Sequence, residues 1–174
     1  MVKDITFHYT NEQMAKDLIN LLPLKENQVV IDAGSGKNKV FYNNLPSFVK
    51  KYEYEIEDGN DFLLANQKAD WIIGNPPYHI SWKFTEKALE LSNFGIAWLV
   101  NNQALNSHFT PRRIKLMQDN NFYLQKIHVV ADNRWFGRYY FLIFSKESNN
   151  FVSCNLNTYK TINPSLTLTN TKSL

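Results

Sequence analysis

The residues most suggestive of chemistry are four in a row, Asn75-Pro76-Pro77-Tyr78, which follow an apolar run typical of a buried strand. The side-chain carbonyl of Asn75 and the backbone carbonyl of Pro76 can both accept hydrogen bonds from one amino group. The prolines make that backbone rigid, and the Tyr78 ring can stack on a flat substrate. An exocyclic amine on a base or an amide is a poor nucleophile because its lone pair is delocalised. Two acceptors on its N–H groups favour a pyramidal nitrogen, which is suited to attack on an electrophilic methyl group.

A glycine-containing segment, Asp32-Ala33-Gly34-Ser35-Gly36-Lys37, follows an earlier predicted strand at residues 29–31. The two glycines let the backbone turn tightly and approach a ligand closely. The segment is not a phosphate-binding P-loop, because that motif needs glycine at the position of Ile31 and serine or threonine at the position of Asn38. Taken alone, the segment is explained equally well as an ordinary strand-to-helix turn.

Acidic residues follow the next predicted strand. A carboxylate about 20 residues after a glycine-rich turn is placed to accept hydrogen bonds from both hydroxyls of a ribose. Glu55 and Glu57 both fit this spacing from Gly36, although a solvated strand face explains them equally well. The pair Asp61-Phe62 fits either an acceptor and a ring against a purine or the cap and packing of a short helix.

Alternating helices and strands must position these segments. Thr10-Asn11-Glu12-Gln13 matches a capping box and predicts a helix that stops at Pro23, with Met14, Leu18, Leu21 and Leu22 on its apolar face. Further helices are predicted at 37–44, 81–92 and 110–120, the last with Thr110 as its cap. Strands are predicted at 29–31, 52–56 (Tyr52, Tyr54 and Ile56 inward), 71–74, 96–100, 122–130 and 139–144. This order predicts an α/β fold with a mainly parallel sheet, which binds ligands beyond the carboxyl ends of its strands.

Composition limits the class of protein. The chain has 174 residues, of which 44% are hydrophobic, so it is predicted to be globular and not disordered. No apolar run approaches the roughly 20 residues of a membrane span, and no signal-peptide core is present, so a cytoplasmic protein without membrane contact is expected. The single Cys154 excludes a disulfide framework and a cysteine-rich zinc site, and no metal is expected.

Basic residues are concentrated in the second half of the chain. Residues 81–174 hold eleven lysines and arginines and five acids, whereas residues 1–80 hold eight lysines and eleven acids. All four arginines lie within one span of 27 residues: Arg112, Arg113, Arg134 and Arg138. This distribution fits either a solvated basic surface or a face that binds the phosphates of a nucleic acid.

Together, these segments resemble the S-adenosylmethionine-dependent N6-adenine methyltransferases, in the motif order of the family's gamma group. The resemblance covers roughly residues 7–145. Residues 75–78 match the catalytic tetrapeptide of the family unchanged, and residues 32–36 match its Asp-x-Gly-x-Gly cofactor loop. The resemblance implies a Rossmann-like fold with a C-terminal antiparallel hairpin, helices on both faces of the sheet, and S-adenosylmethionine as cofactor.

The resemblance also implies the roles of particular residues. The implied catalytic residues are Asn75, Pro76, Pro77 and Tyr78. The implied cofactor-binding residues are Tyr9, Thr10, Asp32, Ala33, Gly34, Gly36, Glu55, Asp61, Phe62 and Asn75. The implied substrate-binding residues are Tyr78 and Trp135 or Phe136 against a flipped base. The charge distribution, and not the resemblance, adds Arg112, Arg113, Arg134 and Arg138 as candidate contacts to the phosphates of the substrate. For Trp135 and Phe136, a buried contact within the hairpin is nearly as good an explanation.

Two features depart from the family. The link between the second strand and Asp61 is too short for the helix normally found there, and residues 146–174 form a polar tail, predicted to pack loosely, where a target-recognition domain is usual. Specificity would then come from short loops, from a partner subunit or from the shape of the substrate. A minimal catalytic domain, residues 1–145, is therefore predicted to methylate the N6 amine of adenine by direct transfer with base flipping.

The identity of the substrate rests on the basic second half of the chain. DNA is favoured, as in restriction–modification, with RNA adenine as the second candidate. Two further alternatives stay open. Protein-glutamine methylation uses the same tetrapeptide, and the chain could also serve as a non-catalytic subunit of a larger methylase.

Overall fold

One mixed sheet organises the chain, for which a computed structural model describes residues 10–133, 137–147 and 153–159. The strands are β1 (Val29–Ala33), β2 (Lys50–Tyr54), β3 (Ala69–Gly74), β4 (Ser92–Asn101), β5 (Tyr123–Asp132), β6 (Tyr139–Ser145) and β7 (Ser153–Tyr159). The α-helices are α1 (Glu12–Ile19), α2 (Val40–Asn44), α3 (Ser81–Leu91), α4 (Asn102–His108) and α5 (Pro111–Asp119). None of the helices in these described ranges is long and apolar enough to cross a membrane.

The sheet order is β2-β1-β3-β4-β6-β5-β7. Strand β6 pairs antiparallel with both β4 and β5, whereas the other pairs are parallel. The carboxyl ends of β1 to β5 therefore lie at one edge of the sheet, called here the carboxyl edge, together with the start of β6. The predicted α/β fold with its C-terminal antiparallel hairpin is confirmed.

Two hydrophobic cores hold the sheet between helical layers. Helices α1 and α2 pack on one face, and α3, α4 and α5 pack on the other, as predicted. Because side chains alternate along a strand, Trp71 and Ile73 of β3 enter the first core while Ile72 enters the second, and all three are at most 1% exposed. Burying each such side chain contributes about 1.5–3 kcal/mol, so the end of β3 is held firmly in place.

The start of α1 differs from the prediction in a way that matters for the site. Asn11, and not Thr10, is the N-cap, because its side-chain oxygen accepts a hydrogen bond from the Met14 amide at 2.7 Å. The Thr10 hydroxyl is thus left for a contact elsewhere. Helix α1 also ends at Ile19, earlier than Pro23.

The predicted inward face of β2 is correct for only one of its three residues. Tyr54 is half-buried and packs against the second core. Tyr52 is 45% exposed because β2 is an edge strand of the sheet. Ile56 is 68% exposed and lies beyond the end of β2, in a short 3-10 helix. Glu53 pairs with Lys39, with its Oε1 2.7 Å from the lysine Nζ.

Other predicted boundaries also change. Helix α2 begins only at Val40, because Lys39 takes a left-handed conformation with φ of 46°. Helix α4 was not predicted, and Thr110 is the N-cap of α5 but makes no side-chain cap bond. Strand β7 lies within the tail that was predicted to pack loosely, and it pairs in parallel with β5.

Candidate active site

Three loops meet at the carboxyl edge, after β1, β2 and β3, and they contain most of the predicted site residues. Gly74 allows the approach of the first and third loops. A Cβ atom at this position would lie 2.4 Å from the backbone oxygen of Ala33 and 3.3 Å from Asp32 Oδ1. Only glycine therefore lets the end of β3 pack so closely on the end of β1, which brings the tetrapeptide beside the glycine loop.

The glycine loop is tied to the end of β2 by its own backbone. The amides of Gly34 and Ser35 both donate to the Tyr54 oxygen, at 2.9 and 3.0 Å. The Gly36 amide donates to Glu55 Oε2 at 2.6 Å. Gly34 has a φ of +72°, which favours glycine, and Gly36 is likewise left-handed. The loop therefore has a defined shape without any ligand.

Glu55 keeps acceptor capacity on both oxygens. Its Oε2 accepts from the Gly36 amide, and its Oε1 accepts from the Glu57 amide at 3.2 Å. A carboxylate has about four lone-pair sites, so each oxygen can accept one further hydrogen bond, as two ribose hydroxyls require. Glu57 instead points to solvent, with its Oε2 3.5 Å from Lys37 Nζ and 59% of its side chain exposed. The geometry favours Glu55 over Glu57 for a ribose.

Glu55→Ala is expected to weaken cofactor binding by about 1–3 kcal/mol, because two ribose hydroxyls would lose their acceptors. Glu57→Ala, which removes an exposed carboxylate two residues away, is the matched control and should change affinity by less than about 0.5 kcal/mol. Calorimetric titration with S-adenosylmethionine measures both. The assignment fails if Glu57→Ala is the damaging substitution.

Lys39 is a positioning residue that the sequence analysis did not find. Its ammonium group lies 2.7 Å from Glu53 Oε1 and 3.0 Å from Asp58 Oδ2, so it joins the loop after β1 to the loop after β2. Ser35 Oγ donates to the other Glu53 oxygen at 2.8 Å. Hydrogen bonds to Glu53 and then to Asp58 raise the pKa of Lys39. A lysine among several acids has no sequence signal that distinguishes such a bridge from a solvated charge.

Asp32 is fully buried at the base of the glycine loop. Its Oδ2 accepts from the Tyr42 amide at 2.9 Å, while its Oδ1 has no hydrogen-bond partner within the described ranges. Burial raises the pKa of this carboxyl to about 7, although the Tyr42 amide opposes the rise. Because a buried acceptor without a partner is unfavourable, Oδ1 is suited to receive a donor or a cationic group from a ligand.

Asn75 presents a similar acceptor. Its Nδ2 donates to Thr10 Oγ1 at 3.3 Å, a contact between residues 65 positions apart. Its Oδ1 is buried, and no described residue bonds to it. The contact with Thr10 orients the amide so that the oxygen stays available for a substrate donor. Pro76 is buried and Pro77 is exposed beside this group.

Tyr78 begins a 3-10 helix, Tyr78–Ile80, that leads directly into α3. Its ring centroid lies 6.0 Å from that of Tyr139, the first residue of β6. Burial, with a further contribution from Tyr139, raises the pKa of the Tyr78 hydroxyl, although a hydrogen bond with the Asn75 side chain opposes the rise. The hydroxyl therefore stays protonated at neutral pH. Tyr139 was not singled out in the sequence, because only strand pairing places it across from Asn101 at the carboxyl edge.

Asp61 and Phe62 take structural positions. Asp61 Oδ1 accepts from the Leu63 amide at 2.9 Å and so caps the 3-10 helix Phe62–Leu64. Phe62 is 2% exposed, and its ring packs against Tyr54 at 5.9 Å and Phe84 at 5.2 Å. The cap-and-pack alternative is observed, and contact with an adenine stays a prediction.

The three predicted substrate-binding arginines that the structure describes lie on two different elements. Arg138 is exposed just before β6, at the carboxyl edge near Tyr139. Arg112 and Arg113 lie in the first turn of α5, where the Arg113 guanidinium carbon is 4.6 Å from the centroid of the Trp82 ring. The remaining predicted residues, Tyr9, Arg134, Trp135 and Phe136, lie outside the described residues.

Comparison with solved structures identifies the fold. No protein-family model matches the sequence, and no curated protein is similar to it. The magnesium protoporphyrin IX methyltransferase of Synechocystis PCC 6803 with bound SAM superposes with a TM-score of 0.57 at 14% identity, over 78% of this chain and 79% of that one.

Two further solved structures with a similar fold are methyltransferases named for other substrates or systems. The 23S rRNA methyltransferase ErmE gives a TM-score of 0.56 at 12% identity, over 80% of this chain and 69% of that one. The type I restriction-modification system methyltransferase subunit of Streptococcus thermophilus gives 0.60 at 14% identity, over 84% of this chain and 47% of that one. The three neighbours differ in substrate but share one architecture. The chain therefore has the Rossmann-like fold of the S-adenosylmethionine-dependent methyltransferases.

Proposed function

We propose that this protein transfers a methyl group from S-adenosylmethionine to the N6 amine of adenine in a nucleic acid, with DNA favoured over RNA. The observation that carries the proposal is the buried Oδ1 of Asn75, an acceptor without a described partner that stands beside the glycine loop. The tetrapeptide supplies two hydrogen-bond acceptors for the N6 amine and an aromatic ring that can stack on the base. The proposed step requires no metal and no basic side chain.

The tetrapeptide acts on the amine. Asn75 Oδ1 and the Pro76 backbone oxygen each accept one N–H of the amine, which favours a pyramidal nitrogen and frees its lone pair for attack. Tyr78, braced by Tyr139, stacks on the adenine ring after the base has left its helix. The methylated nitrogen then returns to neutrality by releasing one proton to solvent. Tyr78 is not the base, because burial raises the pKa of its hydroxyl.

The loops at the ends of β1 and β2 fit the cofactor. Glu55 would hold the ribose hydroxyls, and Asp32 Oδ1 would attract the positive charge of the methionine portion. Gly34 leaves room for that portion, because a Cβ atom at this position would lie in the space next to the Phe84 ring and Pro77. When bound, S-adenosylmethionine would supply an electrophilic methyl group on a cationic sulfur. As the new N–C bond forms, the S–C bond would break and S-adenosylhomocysteine would leave as a neutral thioether.

A nucleic acid is favoured over a protein substrate by the exposed arginines. Arg138 lies at the carboxyl edge, where the backbone of a substrate that delivers adenine to Asn75 must pass. RNA is the second candidate, because a small basic domain suits a single-stranded or structured RNA. The neighbours include one protein named for rRNA methylation and one for restriction–modification, which supports a nucleic acid without separating RNA from DNA.

Methyl transfer from labelled S-adenosylmethionine to separate pools of DNA, RNA and protein tests the proposal. Digestion of the product to nucleosides should reveal N6-methyladenosine or its deoxy form. Label in protein glutamine would instead support the protein-substrate alternative. No transfer by the isolated chain, with cofactor binding intact, would support a non-catalytic subunit.

Arg138→Ala is expected to weaken binding to all nucleic acid sequences alike, because a phosphate contact carries no sequence information. The slope of log affinity against log salt should fall by about one. Lys50→Ala removes an exposed basic residue at the opposite edge of the sheet and serves as the control. Fluorescence anisotropy at several salt concentrations measures both variants, and an unchanged slope for Arg138→Ala would contradict the contact. Arg134, outside the described residues, is predicted to behave as Arg138 does.

A further inference from the structure

A surface groove between α3 and α5 is not used by the proposed reaction. Its volume is about 470 Å³. Trp82 from the first turn of α3 lines one side, and Arg112, Arg113 and Lys115 from α5 line the other. The groove thus combines an aromatic ring with three basic side chains.

Arg113 is held in place before any ligand arrives. Its guanidinium carbon lies 4.6 Å from the Trp82 ring centroid, and its Nη1 donates to the Ser107 backbone oxygen at 2.8 Å and also to the Ser107 hydroxyl. Trp82 is itself braced by the buried ring of His108, with ring centroids 5.6 Å apart. An ordered guanidinium loses less side-chain entropy on binding an anion than a free one does.

His108 is in turn fixed by buried hydrogen bonds. Its Nδ1 donates to the Ala104 backbone oxygen at 2.7 Å, and its Nε2 lies 2.8 Å from Thr85 Oγ1. The Trp98 indole donates to the same Thr85 oxygen at 3.0 Å. Burial lowers the pKa of His108, so its ring is neutral at neutral pH. Trp82 is therefore supported by a series of contacts that runs through His108 and Thr85 into the second core.

The positive charges of the two groove arginines are not neutralised by ion pairs. Within the described residues, neither Arg112 nor Arg113 forms an ion pair, whereas Lys115 binds Asp119 Oδ1 at 2.7 Å. Four lysines elsewhere also pair with acids, namely Lys16, Lys37, Lys39 and Lys87, although others, such as Lys50, form no ion pair among the described residues. Asp119 and the exposed Glu86 also line the groove. Because Asp119 pairs with Lys115, the two arginines against Glu86 leave a net positive charge that can attract an anion.

The groove begins close to the tetrapeptide. Trp82 follows Tyr78 by four residues, which corresponds to about 6 Å along a helix axis. Ser81 Oγ donates to the Tyr78 backbone oxygen at 3.1 Å and links the two elements. A strand whose adenine is stacked on Tyr78 would therefore place its neighbouring nucleotides near Trp82 and α5.

We propose that this groove binds the phosphodiester backbone next to the target adenine, with Arg112 and Arg113 as the phosphate ligands. Arg113 presents the donors that Ser107 leaves free, and Arg112 lies exposed beside it. The inference rests on the proposed function in that its ligand is the strand that carries the adenine. It gives a chain without a described recognition domain a second contact outside the catalytic pocket.

Anisotropy with a fluorescent single strand of about 16 nucleotides, as DNA and as RNA, tests the groove. Arg112→Ala and Arg113→Ala should each weaken binding by about tenfold. Each should also lower the salt slope by about 0.7, the value for one phosphate of a single strand. Lys50→Ala should leave both quantities unchanged. Arg112 is exposed and makes no described contact, so its variant is informative even if Arg113→Ala destabilises α5.

The outcomes for the groove and for the proposed function are distinct. Unchanged affinity and slope in both arginine variants, with methyl transfer to adenine intact in the wild type, overturn the groove alone. Weakened binding in the variants, with no methyl transfer to any nucleic acid, supports the groove and overturns the proposed function. If the wild-type protein binds an acidic peptide but does not bind the fluorescent single strand, the groove is a protein-binding surface and the proposal is wrong.

Discussion

Asn75→Ala is expected to reduce the rate of methyl transfer by about 10²–10³, since it removes one of two preorganised acceptors from the reacting amine. The affinity for S-adenosylmethionine should stay within about threefold, a change below ~1 kcal/mol. Single-turnover kinetics with labelled cofactor measure the rate, and calorimetry measures the affinity. The contact of Asn75 Nδ2 with Thr10 is lost as well, but at 3.3 Å it is a long and therefore weak hydrogen bond.

Asn102→Ala is the matched control for this prediction. Asn102 follows β4 at the same carboxyl edge and is exposed, so the same side chain is removed without touching the tetrapeptide. Its turnover should match that of the wild type within about twofold, as is usual for a surface substitution. Near-normal turnover in Asn75→Ala would mean that the tetrapeptide serves only as a turn.

Gly34→Val is expected to abolish measurable binding of S-adenosylmethionine while the domain stays folded. Gly34 has a φ of +72°, and a Cβ there would lie 3.4 Å from Phe84 Cε1 and 3.9 Å from Pro77 Cδ. A branched side chain would therefore fill the space between the glycine loop and the tetrapeptide. The left-handed backbone adds about 1–2 kcal/mol of strain. Thermal unfolding and calorimetric titration separate the loss of stability from the loss of affinity.

Gly59→Val is a control with the same substitution and nearly the same backbone strain. Gly59 has a φ of +78°, but a Cβ there meets no atom within 4 Å. Its stability should fall by an amount similar to that of Gly34→Val, with cofactor affinity retained. Equal loss of affinity in both variants would show that strain, and not the position of Gly34, controls binding.

The parts of the site that could be predicted from the sequence depend on residues that are close together in the chain. The apolar run that ends at Gly74 and the prolines that follow define a strand end, whatever the rest of the chain does. The glycines at 34 and 36 signal a tight turn in the same way. Because parallel strands end at one edge, these two local signals also predicted that the loops lie close together.

Other features could not be predicted from the sequence because they depend on contacts between residues that are distant in the chain. The spacing could not choose between Glu55 and Glu57; the Gly36 amide makes the difference, since it bonds only to Glu55. Tyr52 and Ile56 were wrongly predicted to face inward because alternation shows a period but not whether a neighbour covers the strand. Strand β7 was missed because its pairing with β5 is not visible in a polar sequence.

The sequence by itself determined the order of β1 to β6 with α1, α2, α3 and α5, and the chemistry at the ends of β1 and β3, because hydrophobic period, glycine and proline act over a few residues. Only the tertiary structure decided which groups are free to act. It binds Asn75 to Thr10 across 65 residues and leaves the Asn75 oxygen without a described partner. It also stacks Arg113 on Trp82, from two different helices. Such contacts depend on how the helical layers pack on the sheet, and no short stretch of sequence contains that information.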